Sequence, residues 1–157
     1  MKKPNIGAPG SKDFHDSSLI KFEINPCLDQ VSLIVSTPDE YSVQQVWMIK
    51  LIGVLRVEYE TTGIGFGEEF PLEIYDIYNC IDSEEFQRWN KRFHDLELNQ
   101  KDRNKLCHIV LASSYYRGWG KNEKLDGIHI ICRKWSVDFA PKKYEKYKYE
   151  RPYIDAG

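Results

Sequence analysis

The sequence lacks most of the short motifs that would indicate a chemical activity. Its four cysteines include no Cys-x-x-Cys pair, which argues against a zinc knuckle or a thioredoxin-type redox motif. Its four histidines show none of the spacings H-x-H, H-x-x-x-H or H-E-x-x-H that are typical of metal sites. Ser113 and Ser114 lack the G-x-S-x-G elbow of a nucleophilic serine. We therefore expect no cofactor, no catalytic residues and no enzymatic activity.

Long hydrophobic runs are also missing. No window holds about 18 consecutive apolar residues, so we expect no membrane span. The start of the chain, MKKPNIGAPGSKD, is basic but is followed by no apolar segment, which argues against a secretory signal. These absences favour a cytoplasmic protein with reduced thiols.

The chain has no strong net charge. The formal value is -2, so no overall positive field attracts nucleic acid, and we expect no nucleic-acid partner. Residues 142–151 are nevertheless basic, which leaves the rest of the chain acidic. An acidic body is suited to electrostatic steering of a basic protein partner.

What the chain does contain is apolar and aromatic residues in short alternating runs. Hydrophobic residues make up 41% of the 157 positions and aromatic residues 13%, which is enough for one domain with a packed core. Alternation with period two predicts strands over residues 14–24 and 30–37, joined as a hairpin. Residues 43–60 predict one long central strand, bent at Gly53.

One helix is predicted from about residue 83 to about residue 97. Asp82 is a good N-cap, and Glu85, three residues later, completes a capping box. Ile81 and Phe86 have the spacing of a hydrophobic staple. The apolar stripe of the helix consists of Phe86, Trp89, Phe93 and Leu96.

Strands are predicted on both sides of this helix. LEIYDIYN precedes it, and LCHIVLASSYY and GIHIICRKWSVDF follow it as a hairpin. Because βαβ alternation is absent, we expect an α+β fold, mainly antiparallel sheet in a sandwich or half-barrel, with the helix packed on it. The expected domain spans residues 14–140. A flexible arm at residues 1–13 precedes it, and a basic, tyrosine-rich tail at residues 141–157 either trails or docks through its tyrosines.

The triplet Phe-His-Asp occurs twice, at residues 14–16 and 93–95. His15 and Asp16 are adjacent on a predicted strand and would point to opposite faces, so they cannot share a ligand as a pair. A metal or hydrolytic site would require the fold to bring His15, Asp16 and His94 together. The structural alternative is that Asp16 accepts local hydrogen bonds and that His94 is favoured near a helix C-terminus.

The loop of the last hairpin concentrates aromatic side chains and an arginine. These residue types anchor protein interfaces, so the loop is the predicted partner-binding surface. The alternative is that its aromatic side chains fold back onto the sheet edge. The candidate residues are Tyr115, Tyr116, Arg117 and Trp119.

The segments FHDSSLIKFEI, LIGVLRVEY, HIVLASS and IHIICRKWSV together resemble small bacterial immunity proteins encoded beside polymorphic toxins, and related domains. The resemblance extends in outline over residues 14–139. Leu51 and Ile52 stand where the family has an aromatic residue before its Gly-Val pair, and the Gly-rich insert and basic tail are additional. The resemblance implies a non-enzymatic protein that neutralises a toxin by covering it, and it supplies no catalytic residues.

Three functions are consistent with the sequence. The first, which we favour because the ionisable groups are scattered, is a protein-binding module whose partner is another protein such as a toxin domain. The second is a small metal-binding or hydrolytic domain that uses His15, Asp16 and His94. The third is a structural domain that self-associates as a homodimer through a sheet edge.

Overall fold

The computed structural model describes nine strands and two helices. The described residues are 3–9, 11, 13–38, 45–60, 72–74, 76–81, 83–95, 106–112 and 127–149. Within these ranges the description excludes the side chains of residues 59, 60, 72, 73, 85, 93–95 and 149.

The elements have the following bounds. The strands are β1 (Ser17–Ile24), β2 (Gln30–Thr37), β3 (Gln45–Ile52), β4 (Arg56–Glu60), β5 (Leu72–Ile74), β6 (Asp76–Asn79), β7 (Cys107–Ala112), β8 (Gly127–Cys132) and β9 (Lys134–Phe139). The helices are α1 (Glu84–Asp95) and a C-terminal 3₁₀ helix (Lys142–Tyr149).

The described strands form two antiparallel sheets. Sheet A has the order β5-β1-β2-β3-β9, and sheet B has the order β4-β8-β7-β6. The predicted hairpins β1–β2 and β7–β8 are both present, with Phe22 opposite Leu33 and Leu111 opposite Ile128. The expected α+β class, dominated by antiparallel sheet, is confirmed.

The inner faces of the two sheets pack against each other and form the main core. Alternate residues of each strand point inward, and in β3 these are Trp47, Ile49 and Leu51, which are buried. Leu33 of sheet A and Ile130 of sheet B are fully buried in the same core. Each side chain of this size contributes about 1.5–3 kcal/mol when it is buried, so this interface supplies most of the apolar stabilisation.

Three predicted strands are each divided between the two sheets. β3 ends at Ile52 in sheet A, and the chain turns at Gly53, with φ 67°, before it enters sheet B as β4. The prediction of one continuous strand bent at Gly53 is therefore wrong. GIHIICRKWSVDF is divided at Arg133, whose N–H donates to the carbonyl oxygens of Ile52 and Gly53 at 3.0 and 3.2 Å. LEIYDIYN is divided into β5 of sheet A and β6 of sheet B.

The helix α1 packs on the outer face of sheet B. Phe86 forms a buried cluster with Leu106 and with Ile131 of β8, and Trp89 packs against this cluster. The packed helix is the one that the apolar stripe predicts, and Phe86 and Trp89 belong to that stripe.

The start of α1 differs from its prediction by one residue. Ser83 Oγ accepts the N–H of Phe86 at 3.0 Å, so Ser83 is the N-cap and Phe86 is the third helical residue. The residues of the predicted capping box, Asp82 and the side chain of Glu85, lie outside the described residues. Ile81, predicted to pack against Phe86, is 47% exposed.

The described parts of both chain ends lie on the sandwich. Ile6, in the segment predicted to be a flexible arm, belongs to the main core and is 3% exposed. The carbonyl oxygen of Gly7 accepts the N–H of Asn79 at 2.8 Å. The 3₁₀ helix packs Tyr144 and Tyr147 against an apolar cluster on the outer face of sheet A, so this part of the tail docks through its tyrosines.

Neither helix has the length and hydrophobicity that a bilayer crossing demands, within the part of the chain that the structure describes.

The close approach of β7 and β8 at Gly127 predicts a large effect of substitution. Gly127 has φ 146°, and a Cβ atom there would collide with the carbonyl oxygen of Leu111. Gly127→Ala should lower the free energy of unfolding by about 2 kcal/mol or more, measured by urea denaturation. Gly7→Ala is the comparison, because Gly7 has no positive φ and its Cβ would meet Ser11 Cβ at 3.0 Å, a tight contact without the overlap on a backbone oxygen that Gly127 has. Equal effects of the two substitutions would contradict the strain assigned to Gly127.

Candidate functional site

Two of the sequence-based sites extend outside the described residues. The predicted contact loop, Tyr115, Tyr116, Arg117 and Trp119, lies wholly outside them. His94 belongs to α1, but the description does not include its side chain. The meeting of His15 and Asp16 with His94 therefore stays a prediction.

The first Phe-His-Asp triplet lies in a turn before β1 and not in the strand. Phe14 is buried in the main core, whereas His15 and Asp16 are partly exposed. Asp16 has a left-handed φ of 54°, and its Oδ2 lies 3.2 Å from His15 Nε2. The expectation that these two side chains point to opposite faces is wrong, because that alternation holds only in an extended strand.

A further carboxyl group, not singled out in the sequence, interacts with this turn. Asp76 of β6 is 2% exposed, and it accepts the N–H of Ile77 at 2.8 Å. Burial raises the pKa of Asp76 to about 6, and the nearby Asp13 and Asp16 add to the rise, while the hydrogen bond and His15 oppose it. No three His, Cys, Asp or Glu side chains among the described residues are arranged to hold a metal ion.

Two histidines that the sequence left separate meet on the outer face of sheet B. His108 of β7 and His129 of β8 are 1% and 3% exposed, and His108 Nε2 lies 3.0 Å from His129 Nδ1. They occupy diagonal positions, since His108 is opposite Ile131 and His129 is opposite Val110. Their rings stack with centroids 5.2 Å apart, so they form one buried, hydrogen-bonded unit.

The other ring nitrogen of His108 contacts the start of α1. Nδ1 lies 2.9 Å from Ser83 Oγ and 3.1 Å from the carbonyl oxygen of Cys80. Because a carbonyl oxygen can only accept, this contact favours a proton on Nδ1 and leaves Nε2 to accept the N–H of His129. Burial lowers the pKa of His108 to about 4, and repulsion by His129 adds to the effect. His108 is therefore neutral at neutral pH.

The polar groups continue from the histidine pair toward solvent. Glu58 of β4 is directly opposite His129, and its Oε2 pairs with Arg56 Nη2 at 2.8 Å. The Arg56 guanidinium in turn lies 3.4 Å from the centroid of the Trp89 ring, which connects β4 to α1. We call the residues Glu58, His129, His108 and Ser83 the histidine row.

Ser83, His108 and His129 form a continuous chain of hydrogen-bond contacts, but the serine is the helix cap. Ser83 is 8% exposed and its oxygen accepts the N–H of Phe86. A nucleophilic serine has to reach a substrate, and this position does not suit that role. The geometry suits a buried network of hydrogen bonds that fixes the start of α1 on sheet B. The sequence contains one sign of this pair, because each strand of the predicted β7–β8 hairpin has a histidine at a position that faces away from the core.

An exposed apolar surface lies where β1 turns into β2. Leu28 in this turn is 71% exposed and has φ 60°. Asn25 fixes the turn, because its Oδ1 accepts the N–H groups of Asp29 and Gln30 at 3.0 and 2.9 Å. The N–H of Leu28 donates to the carbonyl oxygen of Asn25 at 2.9 Å. The leucine side chain is thus presented by a rigid turn.

The end of β1 and the segment that leads into β4 add exposed apolar side chains beside this turn. The N–H of Val54 donates to the carbonyl oxygen of Asp29 at 2.8 Å, so the approach to β4 lies beside the turn. We define the hairpin-end patch as three exposed apolar residues at or beside this turn: Ile24 (41% exposed), Leu28 and Leu55 (36% exposed).

Replacement of His108 tests the protonation state of the buried pair. Its pKa is about 4 in the folded state against 6.5 for an unperturbed histidine, so unfolding takes up a proton between these values. The stability that His108 contributes is fully present above its pKa in the unfolded chain and is lost as the pH falls toward its pKa in the folded protein. Between about pH 7 and about pH 4.5, the free energy of unfolding of the wild type should fall by about 2–3 kcal/mol because of His108. The His108→Gln variant should not show this loss.

Urea unfolding at the two pH values measures this difference. His15→Gln is the matched control, because it removes a partly exposed histidine and leaves the buried pair intact. The pH dependence should persist in the control. The same loss in wild type and in His108→Gln would show that the buried imidazole is not its source.

Asp76 should titrate in the opposite sense. Folding raises its pKa from 3.8 to about 6. Its contribution to stability is therefore present below the unfolded-state pKa and is lost as the pH rises through the folded-state pKa. Asp76→Asn keeps an acceptor for the N–H of Ile77. The stability gained by this substitution should be larger at about pH 7 than at about pH 4, by about 1–3 kcal/mol. Equal gains at both pH values for Asp76→Asn would contradict the assignment.

The chain matches no protein-family model, no curated protein and no solved structure. The resemblance to immunity-type proteins stays an expectation from the sequence segments.

Proposed function

We propose that this chain is a protein-binding module, and that it neutralises a basic toxin domain by covering it with the hairpin-end patch. The observation that carries the proposal is Leu28, a large apolar residue that is 71% exposed and held at φ 60°. The toxin as partner follows from the resemblance to immunity-type proteins.

A leucine is unfavourable at this position for two independent reasons. Left-handed backbone costs a residue with a Cβ atom about 1–2 kcal/mol, and glycine or asparagine is the usual occupant. The exposed side chain also gains little from burial in the folded monomer. A residue that disfavours folding on both counts supports a role in contact with another molecule.

The rigidity of the turn favours binding. The side chain of Asn25 hydrogen-bonds three times to the other end of the turn, including Nδ2 to Asp29 Oδ1 at 2.7 Å. A surface that is already ordered loses little conformational entropy when a partner covers it. The patch therefore gains affinity from the same hydrogen bonds that hold Leu28 in its unusual conformation.

The chemistry of the surface suits a protein partner. Apolar side chains in the centre with charged groups at the rim are the usual composition of a protein interface, and Glu23 and Asp29 are immediate neighbours of the patch residues in the chain. The acidic excess outside residues 142–151 supports a partner of basic net charge, since opposite charge accelerates encounter.

Leu28→Asn separates binding from folding. Asparagine tolerates the left-handed conformation, so the free energy of unfolding should stay unchanged or rise by up to about 1 kcal/mol. Removal of the apolar side chain should lower affinity for the toxin domain encoded beside the gene by about tenfold or more, measured by titration calorimetry. The matched control is Ile81→Asn. It removes a side chain that is 47% exposed and that follows β6, the strand farthest from β4 in sheet B.

Trp119→Ala in the same titration tests the loop that the sequence predicts as the contact surface. A loss of affinity in Trp119→Ala, with Leu28→Asn unaffected, would place the interface in residues 115–119 and contradict the hairpin-end patch. No binding of the toxin domain by the wild-type chain would contradict the proposed function itself.

A further inference from the structure

Two cysteines oppose each other across β7 and β8. The register places Cys107 directly opposite Cys132. Both point toward the main core, where Cys132 is fully buried and Cys107 is partly buried. Neither forms a disulfide in the structure. The fold thus holds two thiols in a fixed, adjacent position.

The backbone hydrogen bonds identify the type of cross-strand pair. The carbonyl oxygen of His108 accepts an N–H from the β6 side, and that of Ile131 accepts one from the β4 side. The peptide groups of Cys107 and Cys132 therefore point toward each other's strand, as in a hydrogen-bonded antiparallel pair. The Cα atoms of such pairs lie about 5.5 Å apart, inside the range of about 4.4–6.8 Å that disulfides span.

The two thiols are not equivalent. The hydrogen bond from Cys132 lowers the pKa of Cys107, while the same bond, together with burial, raises the pKa of Cys132. The thiolate is the nucleophilic form of cysteine, and Cys107 is also the more exposed of the two. Cys107 is thus the thiol that an oxidant meets first, and Cys132 is the thiol that can react with the product.

We propose that Cys107 and Cys132 form a redox-active dithiol that a hydroperoxide oxidises to an intramolecular disulfide. The Cys107 sulfur attacks one peroxide oxygen and the O–O bond breaks. Cys107 becomes a sulfenic acid, and the other oxygen leaves as water or an alcohol with the thiol proton. The Cys132 sulfur then attacks the sulfenic sulfur, the S–O bond breaks, and hydroxide leaves as water with the proton of Cys132. The two thiols lose two electrons, which reduce the hydroperoxide.

The disulfide formed here is reversible. The Cβ atoms of directly opposed residues are about 4.5–5.5 Å apart, with the hydrogen-bonded type at the wider end, whereas a disulfide brings them to about 3.8 Å. Closure therefore strains the β7–β8 ladder. Strained disulfides are reduced more readily than structural ones, so a thiol reductant restores the dithiol.

The test is to treat the reduced full-length protein with hydrogen peroxide, alkylate the remaining thiols under denaturing conditions and map the peptides by mass spectrometry. The expected product is a disulfide between Cys107 and Cys132 that dithiothreitol reverses. Cys27, which is exposed, and Cys80, which is buried, serve as internal references and should remain alkylated at the peroxide dose that closes the pair. Peroxide that modifies Cys27 or Cys80 while both members of the pair stay alkylated would overturn the proposal.

Two variants separate the roles of the thiols. In Cys132→Ala, Cys107 should stop at the sulfenic acid, which dimedone traps, and then proceed to the sulfinic acid. In Cys107→Ser, Cys132 should stay alkylated. Oxidation of wild-type Cys107 directly to the sulfinic acid, with Cys132 still alkylated, would overturn the proposal even if neither variant folded.

Discussion

The face-to-face packing of sheets A and B determines which side chains lie on the outer faces of the molecule. Because side chains alternate along a strand, each residue committed to the core assigns its neighbours to an outer face. Ile109 and Ile130 fill the core, and so His108 and His129 lie outside it. Polar groups on a sheet face that a helix covers need partners, since an unpaired buried donor or acceptor costs about 1–3 kcal/mol. The histidine row supplies those partners and connects sheet B to the start of α1.

The local part of this fold could be predicted from the sequence, and the division of strands between sheets could not. Period-two patterns specify which residues face inward, and they hold for Trp47, Ile49 and Leu51. A strand that crosses from one sheet to the other keeps the same pattern on both sides of the crossing, so hydrophobicity gives no sign of it. Only Gly53 marked such a point, because its positive φ allows the chain to turn. Arg133 carries no comparable signal in its residue type.

The histidine row and the cysteine pair were missed for a different reason. Each depends on the register between strands, and His108 and His129 are 21 positions apart in the chain. A shift of one residue would move either side chain to the other face and separate the pair. Short-range motif spacings therefore miss a site built from residues on two strands of a hairpin. The turn at His15 and Asp16 shows the converse: the alternating pattern predicts a strand there, but the backbone forms a turn.

Asp16 and Leu28 both have a left-handed backbone, and a comparison of the two shows when such strain has a local explanation. Asp16 is a residue type that tolerates this conformation, and its carboxylate lies within 3.2 Å of His15, so local interactions explain it. Leu28 has no such compensation from its side chain, which is 71% exposed. The hydrogen bonds of Asn25 hold the backbone in place whatever side chain Leu28 carries, so the fold does not require a leucine there. The stability of the monomer therefore does not account for a leucine at this position, which supports the proposed contact with a partner.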